Sequence, residues 1–372
     1  MSTEEAPTGT GSGALPARIL DDPAWFGAAM GTGAVAAVAA MNPGGLAALE
    51  GISQALGIAL LALTIAIFVA LAVRDFAFRG MGRTLTSRLR SPITGAAYAS
   101  IPGTLNVMAV ASVQLWPTLT ASIAGWWVVA ILAGTGTALG LWLTVEFFVS
   151  AFEHPGVDAR DISGVWFIPE TVVILGALLF SELARTGPAA AAHGLTVLAF
   201  ALLGAGGLLF AFTATMFINR LVLHAHDPRG AVPAVWIMIS PLAVTSLALQ
   251  SVARDATLVG GRWTGAVLEM SAVLAAMLWG FALWWMAAAS VITRHSGRAA
   301  LTGTAADWAF VFPTAAMVIA TLSLGRFWNS TVVEILGSAF SVGLLVIWAI
   351  VATLSARVLR RRGASAAPPT GP

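Results

Sequence analysis

The chain has 372 residues, of which 58% are hydrophobic and 10% charged, with a formal net charge of +2 and a mean hydropathy of +0.87. A soluble domain carries about a quarter charged residues, so this composition excludes a water-soluble fold and describes an integral membrane protein. All 19 basic residues are Arg and there is no cysteine. That removes disulfides, thiolate nucleophiles and Cys-based metal sites, and arginines scattered through short loops form no face for nucleic acid.

Residues 1–20, rich in Gly, Ser, Thr and Pro, read as a disordered cytoplasmic leader. A signal peptide would need a basic n-region and a short apolar core, and both are missing. Ten apolar runs follow, near 23–42, 52–73, 95–115, 122–150, 164–184, 193–222, 232–253, 263–293, 307–325 and 331–357. Each is about the 20 residues that a helix needs to cross hydrocarbon. Barrel strands would instead alternate polar and apolar residues over about 10 positions. The chain therefore reads as an all-α membrane protein, with a ten-helix transmembrane domain over 21–358 and a disordered cytoplasmic tail over 359–372.

The arginines orient it. Arg18, the loops after even-numbered helices (Arg74 to Arg90, Arg160, Arg220, Arg229, Arg294, Arg298) and the tail hold 15 of the 19. The opposite side has Arg185, Arg254, Arg262 and Arg326. The positive-inside rule then places both termini in the cytoplasm, as an even number of spans requires.

Loops after even helices are longer and charged, so the helices group as five hairpins. Pro102, Pro169, Pro241 and Pro313 fall inside the third, fifth, seventh and ninth helices, and the last three are spaced by 72 residues. An aromatic precedes each: Tyr98, Trp166, Trp236 and Trp308. An interior Pro removes a backbone hydrogen bond and kinks a helix, and in lipid the freed carbonyl is tolerated where it is buried or lines a wet cavity. Matching prolines in alternate helices predict an inner ring of kinked odd helices and an outer, lipid-facing ring of even ones.

The first helix contains Trp25-Phe26 followed by Met30-Gly31-Thr32-Gly33, and the ninth contains Trp308-Ala-Phe310-Val-Phe312-Pro313. These runs resemble the tellurite-resistance/dicarboxylate transporter family, which includes malate permeases, sulfite efflux pumps and the slow anion channels of plants. The resemblance covers about residues 20–358. It implies five hairpins in a pseudo-fivefold ring around a central pore, a homotrimer, and a Phe beside the ninth-helix Pro that plugs the pore. Phe312 takes that role here, with Phe310 second. Phe312 as an ordinary packing aromatic is the plainer alternative.

The expected pore lining comprises Gly31, Thr32, Gly33, Pro102, Asn106, Pro169, Glu170, Thr171, Pro241, Thr245, Pro313 and Thr314. These are polar, small or helix-breaking residues of odd helices, and no odd helix has an Arg at its centre. A hydroxyl in a membrane helix is more often a packing group, and the same holds for Gly31 beside Gly27. Glu170 departs from an anion pathway: a carboxylate in the bilayer costs roughly 2.5–3.5 kcal/mol or more. Kept neutral by burial it would couple transport to a proton; at a helix end or paired with Arg it would have no such role. His224, His226 and Asp227, and His154 with Glu153 and Asp158, read as loop residues, so neither a metal site nor a cofactor is expected. No catalytic motif is present.

The reading is a permease for small anions in a bacterial plasma membrane, contacting lipid and no nucleic acid. Candidate substrates are malate and other C4-dicarboxylates, tellurite, sulfite and inorganic monovalent anions. The alternatives are a proton-coupled carrier using Glu170 and a polytopic receptor or assembly protein without transport.

Overall fold

Among the described residues, ten helices are long and apolar enough to cross a membrane. They are α1 (Pro23–Ala40), α2 (Glu50–Ala77), α3 (Gly95–Leu115), α4 (Ile123–Glu153), α5 (Gly164–Thr186), α6 (Ala189–Leu223), α7 (Val232–Asp255), α8 (Thr264–Ser296), α9 (Ala305–Phe327) and α10 (Thr331–Arg361). The computed structural model describes residues 22–45, 47–78, 88–91, 94–154, 156–224, 232–259 and 264–365. No strand occurs among the described residues. The leader over 1–20, together with Arg79, Arg83, Arg229, His226 and Asp227, lies outside them. The helix of α10 continues to Ser365, past the expected end of the domain at 358, and the rest of the tail is again outside the described residues.

The odd and even helices differ as alternate rings would. In the most apolar stretch of each odd helix 72–89% of residues are buried, against 17–39% in the even helices. The even helices turn Ile65, Trp127, Leu208, Met277, Trp284 and Val342 outward. Exposed apolar side chains of that size and number belong against lipid. Each odd helix packs on the even helix that follows it. Contacts between odd helices run from α1 to α3, α5, α7 and α9, and α9 packs back on α1. Small residues allow this closeness: a Cβ on Gly136 of α4 would collide with the Asn106 side chain of α3, the use of Gly expected where membrane helices touch.

The prolines differ from the kinked-helix expectation in a specific way. Four odd helices open with a 3-10 segment: Pro23–Trp25, Gly95–Ala99, Gly164–Trp166 and Ala305–Phe310. The fifth, α7, is broken between Val232–Ile237 and Ile239–Val259. Regular α-helix begins at Phe26, Ser100, Phe167, Ile239 and Val311, so Pro102, Pro169, Pro241 and Pro313 each stand third in a regular segment. There a missing N–H is no loss, because the first four N–H groups of a helix have no partner within it. Proline here marks a change of winding near one end of the span and does not kink its middle. The Ser240 hydroxyl donates to the Ile237 carbonyl at 2.7 Å, satisfying the group that Pro241 leaves open.

The start of α9 is also fixed from behind. The Asp307 carboxylate accepts hydrogen bonds from the Thr302 and Gly303 backbone N–H groups at 2.9 and 2.6 Å, and Gly303 has φ +73°, a conformation that favours glycine. This clamp sets the depth of Phe312.

Candidate functional site

Two cavities lie along the axis of the odd helices, and both are lined by α1, α3, α5, α7 and α9. The one nearer the N-terminal ends of these helices, here the near cavity, has a volume of about 220 Å³. The one nearer their C-terminal ends, the far cavity, has about 130 Å³. Phe312 lines both. Among the described residues it is the one common to the two linings.

The lining residues follow helical spacing. On α5 they run from Val165 through Ile168, Thr171, Leu175, Leu178 and Glu182 to Arg185; on α7, after Pro233 and Ala234, through Ile237, Ser240, Val244, Leu247 and Ser251 to Arg254. Steps of three and four keep each set on one face. The second residue of each regular segment is Gly27, Ile101, Ile168, Ser240 and Phe312 in chain order. Of these, Gly27, Ile168, Ser240 and the aromatic Phe312 line the near cavity, whereas Ile101 packs with Leu89, Tyr98 and Leu143.

The near cavity is mostly apolar, and three of its hydroxyls give their protons to the helix backbone. Ser100 donates to the Ala97 carbonyl at 2.6 Å, Thr171 to Phe167 at 2.6 Å and Ser240 to Ile237 at 2.7 Å. A hydroxyl has one proton; once it is given to the helix backbone, an anion meets lone pairs. Among the described lining residues the one charged group is Asp22, which caps α1 by accepting from the Ala24 N–H at 2.8 Å. Desolvation by the surrounding helix ends pushes its carboxyl above the usual Asp range, and the bond from Ala24 partly opposes this.

The far cavity is lined by the charged Glu182, Arg185 and Arg254 and by Gln114, Ser251 and Ser323. Arg185 pairs with Glu182 one turn earlier and lies 3.9 Å from the buried Asp255, which also accepts from Ser181. Arg254 sends its Nε to the Gln250 carbonyl at 3.3 Å and lies over the Phe327 ring at 5.9 Å. Ser323 donates to the Gln250 side-chain oxygen at 3.0 Å, joining α9 to the network.

Of the residues singled out in the sequence, Phe312, Pro313 and Thr171 line a cavity on this axis. Phe310 does not; its ring packs edge-on against Trp236 at 5.4 Å. Thr314 donates to the Phe310 carbonyl and lines a separate recess with Trp236 and Phe340. Gly31 packs against Val311 and Trp308, and Gly33 against Val107 and Thr64. Thr32 accepts from the Trp348 indole at 3.2 Å. Asn106 donates to the Val172 carbonyl at 3.2 Å, and Thr245 to Pro241 at 2.6 Å. Pro102, Pro169 and Pro241 line neither cavity.

Glu170 is fully buried and also lines neither cavity. Its backbone meets Gly206 of α6, and its carboxyl lies beside the Thr213 hydroxyl of α6, outside hydrogen-bond geometry. It belongs to the seam between an odd helix and its even partner.

Asp22, Glu182, Arg185 and Arg254 were missed as lining residues. Stepping forward from Thr171 by four, three, four and three reaches Leu175, Leu178, Glu182 and Arg185, so the signal for the far cavity was present in the spacing of α5.

The family model of SLAC1, described as a voltage-dependent anion channel, matches residues 22–356. An uncharacterized transporter of Methanocaldococcus jannaschii is 24% identical over 337 residues, covering 88% of this chain and 90% of the relative. The sulfite efflux pump SSU1 of Arthroderma otae is 24% identical over 350 residues, covering 90% and 89%. A protein of Schizosaccharomyces pombe named for malic acid transport is 21% identical over 346 residues, covering 90% and 79%.

Proposed function

Since the chain belongs to the SLAC1 family of voltage-dependent anion channels, we propose that this multi-pass membrane protein moves small anions between its two cavities, past Phe312. The observation that carries this reading is that one aromatic side chain borders both cavities while all five odd helices surround each. The closed sequence of contacts among the odd helices supports a ring around that path. The substrates lie among small oxyanions, the class to which the sulfite and malate of the relatives' names belong. The near cavity offers little but apolar surface and acceptors, so passage there depends on ion size and the cost of shedding water.

Both termini lie in the cytoplasm of a bacterial plasma membrane in this proposal. The near cavity then opens inward and the far cavity outward, in keeping with the Arg distribution. Assembly as a homotrimer is carried over from the family resemblance and is read by the mass of the solubilised complex. The proton-coupled alternative has less support, because the Glu170 carboxyl faces α6 and not the path.

The test is flux through purified protein in liposomes, with Phe312→Ala alongside. The proposal expects anion flux from the purified chain and a large increase in the variant without a pH gradient. Anion accumulation only under an imposed pH gradient, unchanged by Phe312→Ala, would overturn it in favour of a carrier. Absence of flux from both proteins would favour a receptor or assembly role.

A further inference from the structure

The far cavity has a feature that a simple constricted path does not need. Arg185 of α5 and Arg254 of α7 line it together with Gln114 of α3, while among the described residues the near cavity has Asp22 as its one charged lining residue. Along the path, the charge facing the ion changes sign across Phe312. We propose that the far cavity is a docking site for a small oxyanion, held by Arg185 and Arg254 and weakened by Glu182, which competes for Arg185. This rests on the anion-transport reading and adds to it the place where the ion is captured.

The geometry separates the two acids. Glu182 lines the cavity and pairs with Arg185. Both side chains keep about a quarter of their surface exposed, 27% for Arg185 and 22% for Glu182, so an entering anion reaches the pair. Asp255 is fully buried and is not a lining residue. It accepts from Ser181 and stands 3.9 Å from the Arg185 Nε, so it orients that side chain from behind. Arg254 is steadied by the Gln250 carbonyl and the Phe327 ring. Both cations are thus held by their own helices or the neighbouring one before any ligand arrives. The guanidinium fork matches two oxygens of a planar or pyramidal oxyanion. The two positive charges also act on each other, and an anion between them relieves that repulsion. Among the described residues the other Arg at this end of the odd helices, Arg326, donates to the Met41 carbonyl and lines neither cavity.

The experiment is the concentration dependence of nitrate and sulfite uptake into proteoliposomes. It is made in the Phe312→Ala background so that the constriction does not limit the rate, and paired with thermal unfolding of solubilised protein titrated with sulfite. Arg254→Gln should raise the half-saturating concentration roughly threefold to tenfold, with a smaller change in maximal rate. Glu182→Gln should lower it by a similar factor, a gain that a misfolded variant does not mimic. Both effects should shrink in 0.5 M inert salt, because a partly exposed charge is screened (Debye length of order 4 Å).

Flux with half-saturation indifferent to both variants overturns the docking site and leaves the transport reading standing. Without flux, saturable stabilisation by sulfite that Arg254→Gln removes keeps the docking site and overturns transport. Neither flux nor stabilisation overturns both.

Discussion

The two cavities are built by the same five helices at the same helical spacing, yet they present opposite chemistry. At the N-terminal end, residues such as Thr171 and Ser240 give their protons to their own backbone. At the C-terminal end, Glu182, Arg185 and Arg254 stand on the continuation of the same stripes. This placement follows the helix dipoles, which favour anions at N-termini and cations at C-termini: Asp22 sits where the dipoles are positive, and two Arg sit where they are negative. The side chains thereby offset the field that the bare helix ends would present to an ion. One stripe of a helix can therefore carry unlike functions at its two ends, with the boundary here at a single ring.

The strongest way to break this contrast is to remove the boundary. Phe312→Ala should join the two cavities and raise anion flux by about tenfold or more, equivalent to at least ~1.4 kcal/mol off the barrier. Liposome currents check this, and an unchanged current would mean that Phe312 packs without restricting anything. Next in size is the support of the near cavity. Gly164→Ala should destabilise the solubilised protein by about 1–3 kcal/mol, because a Cβ there collides with the Ala234 carbonyl of α7. A thermal-unfolding midpoint equal to that of the unaltered chain would refute the close approach.

A smaller effect sharpens the charge difference. Asp22 is negative when deprotonated, and desolvation raises its pKa, so acidification neutralises it earlier than a solvated Asp. Flux should rise as pH falls through the range just above ordinary Asp titration, by roughly threefold for a partly screened charge. Asp22→Asn should be flat over that range and already at the higher level. A variant that keeps the wild-type pH profile would assign the titration elsewhere. The smallest effect is expected at Glu170→Gln, which should leave both flux and its pH dependence unaltered. Loss of pH dependence there would revive the proton-coupled reading.

Much of the fold was legible in the sequence because hydrocarbon thickness fixes helix length, and the ten runs match the ten helices closely. The alternation of buried and exposed helices followed from the prolines of the odd ones, although for a different reason from the expected one. A Pro third in a regular segment marks where winding changes, and sequence alone does not separate that from a kink. The site was less legible. Thr32, Asn106 and Thr314 are polar residues of odd helices, and each is used in packing or by its own backbone. Arg185 and Arg254 count in the sequence only toward orientation, although helical spacing from Thr171 already carries Arg185 onto the lining face of α5. Glu170 illustrates the same limit, since adjacency to Pro169 says nothing about which neighbour it meets.

The second positions of the five regular segments, Gly27, Ile101, Ile168, Ser240 and Phe312, have a consequence for how such a path is assembled. A channel made of five identical subunits would repeat whatever stands at that level five times. Five copies of glycine leave an opening and five of phenylalanine fill it. In the proposed path the hairpins are joined in one polypeptide and each can diverge, so that the Phe312 ring shares its cavity with the smaller Gly27, Ile168 and Ser240. A partial seal of that kind is available to a fused repeat and not to a symmetric oligomer.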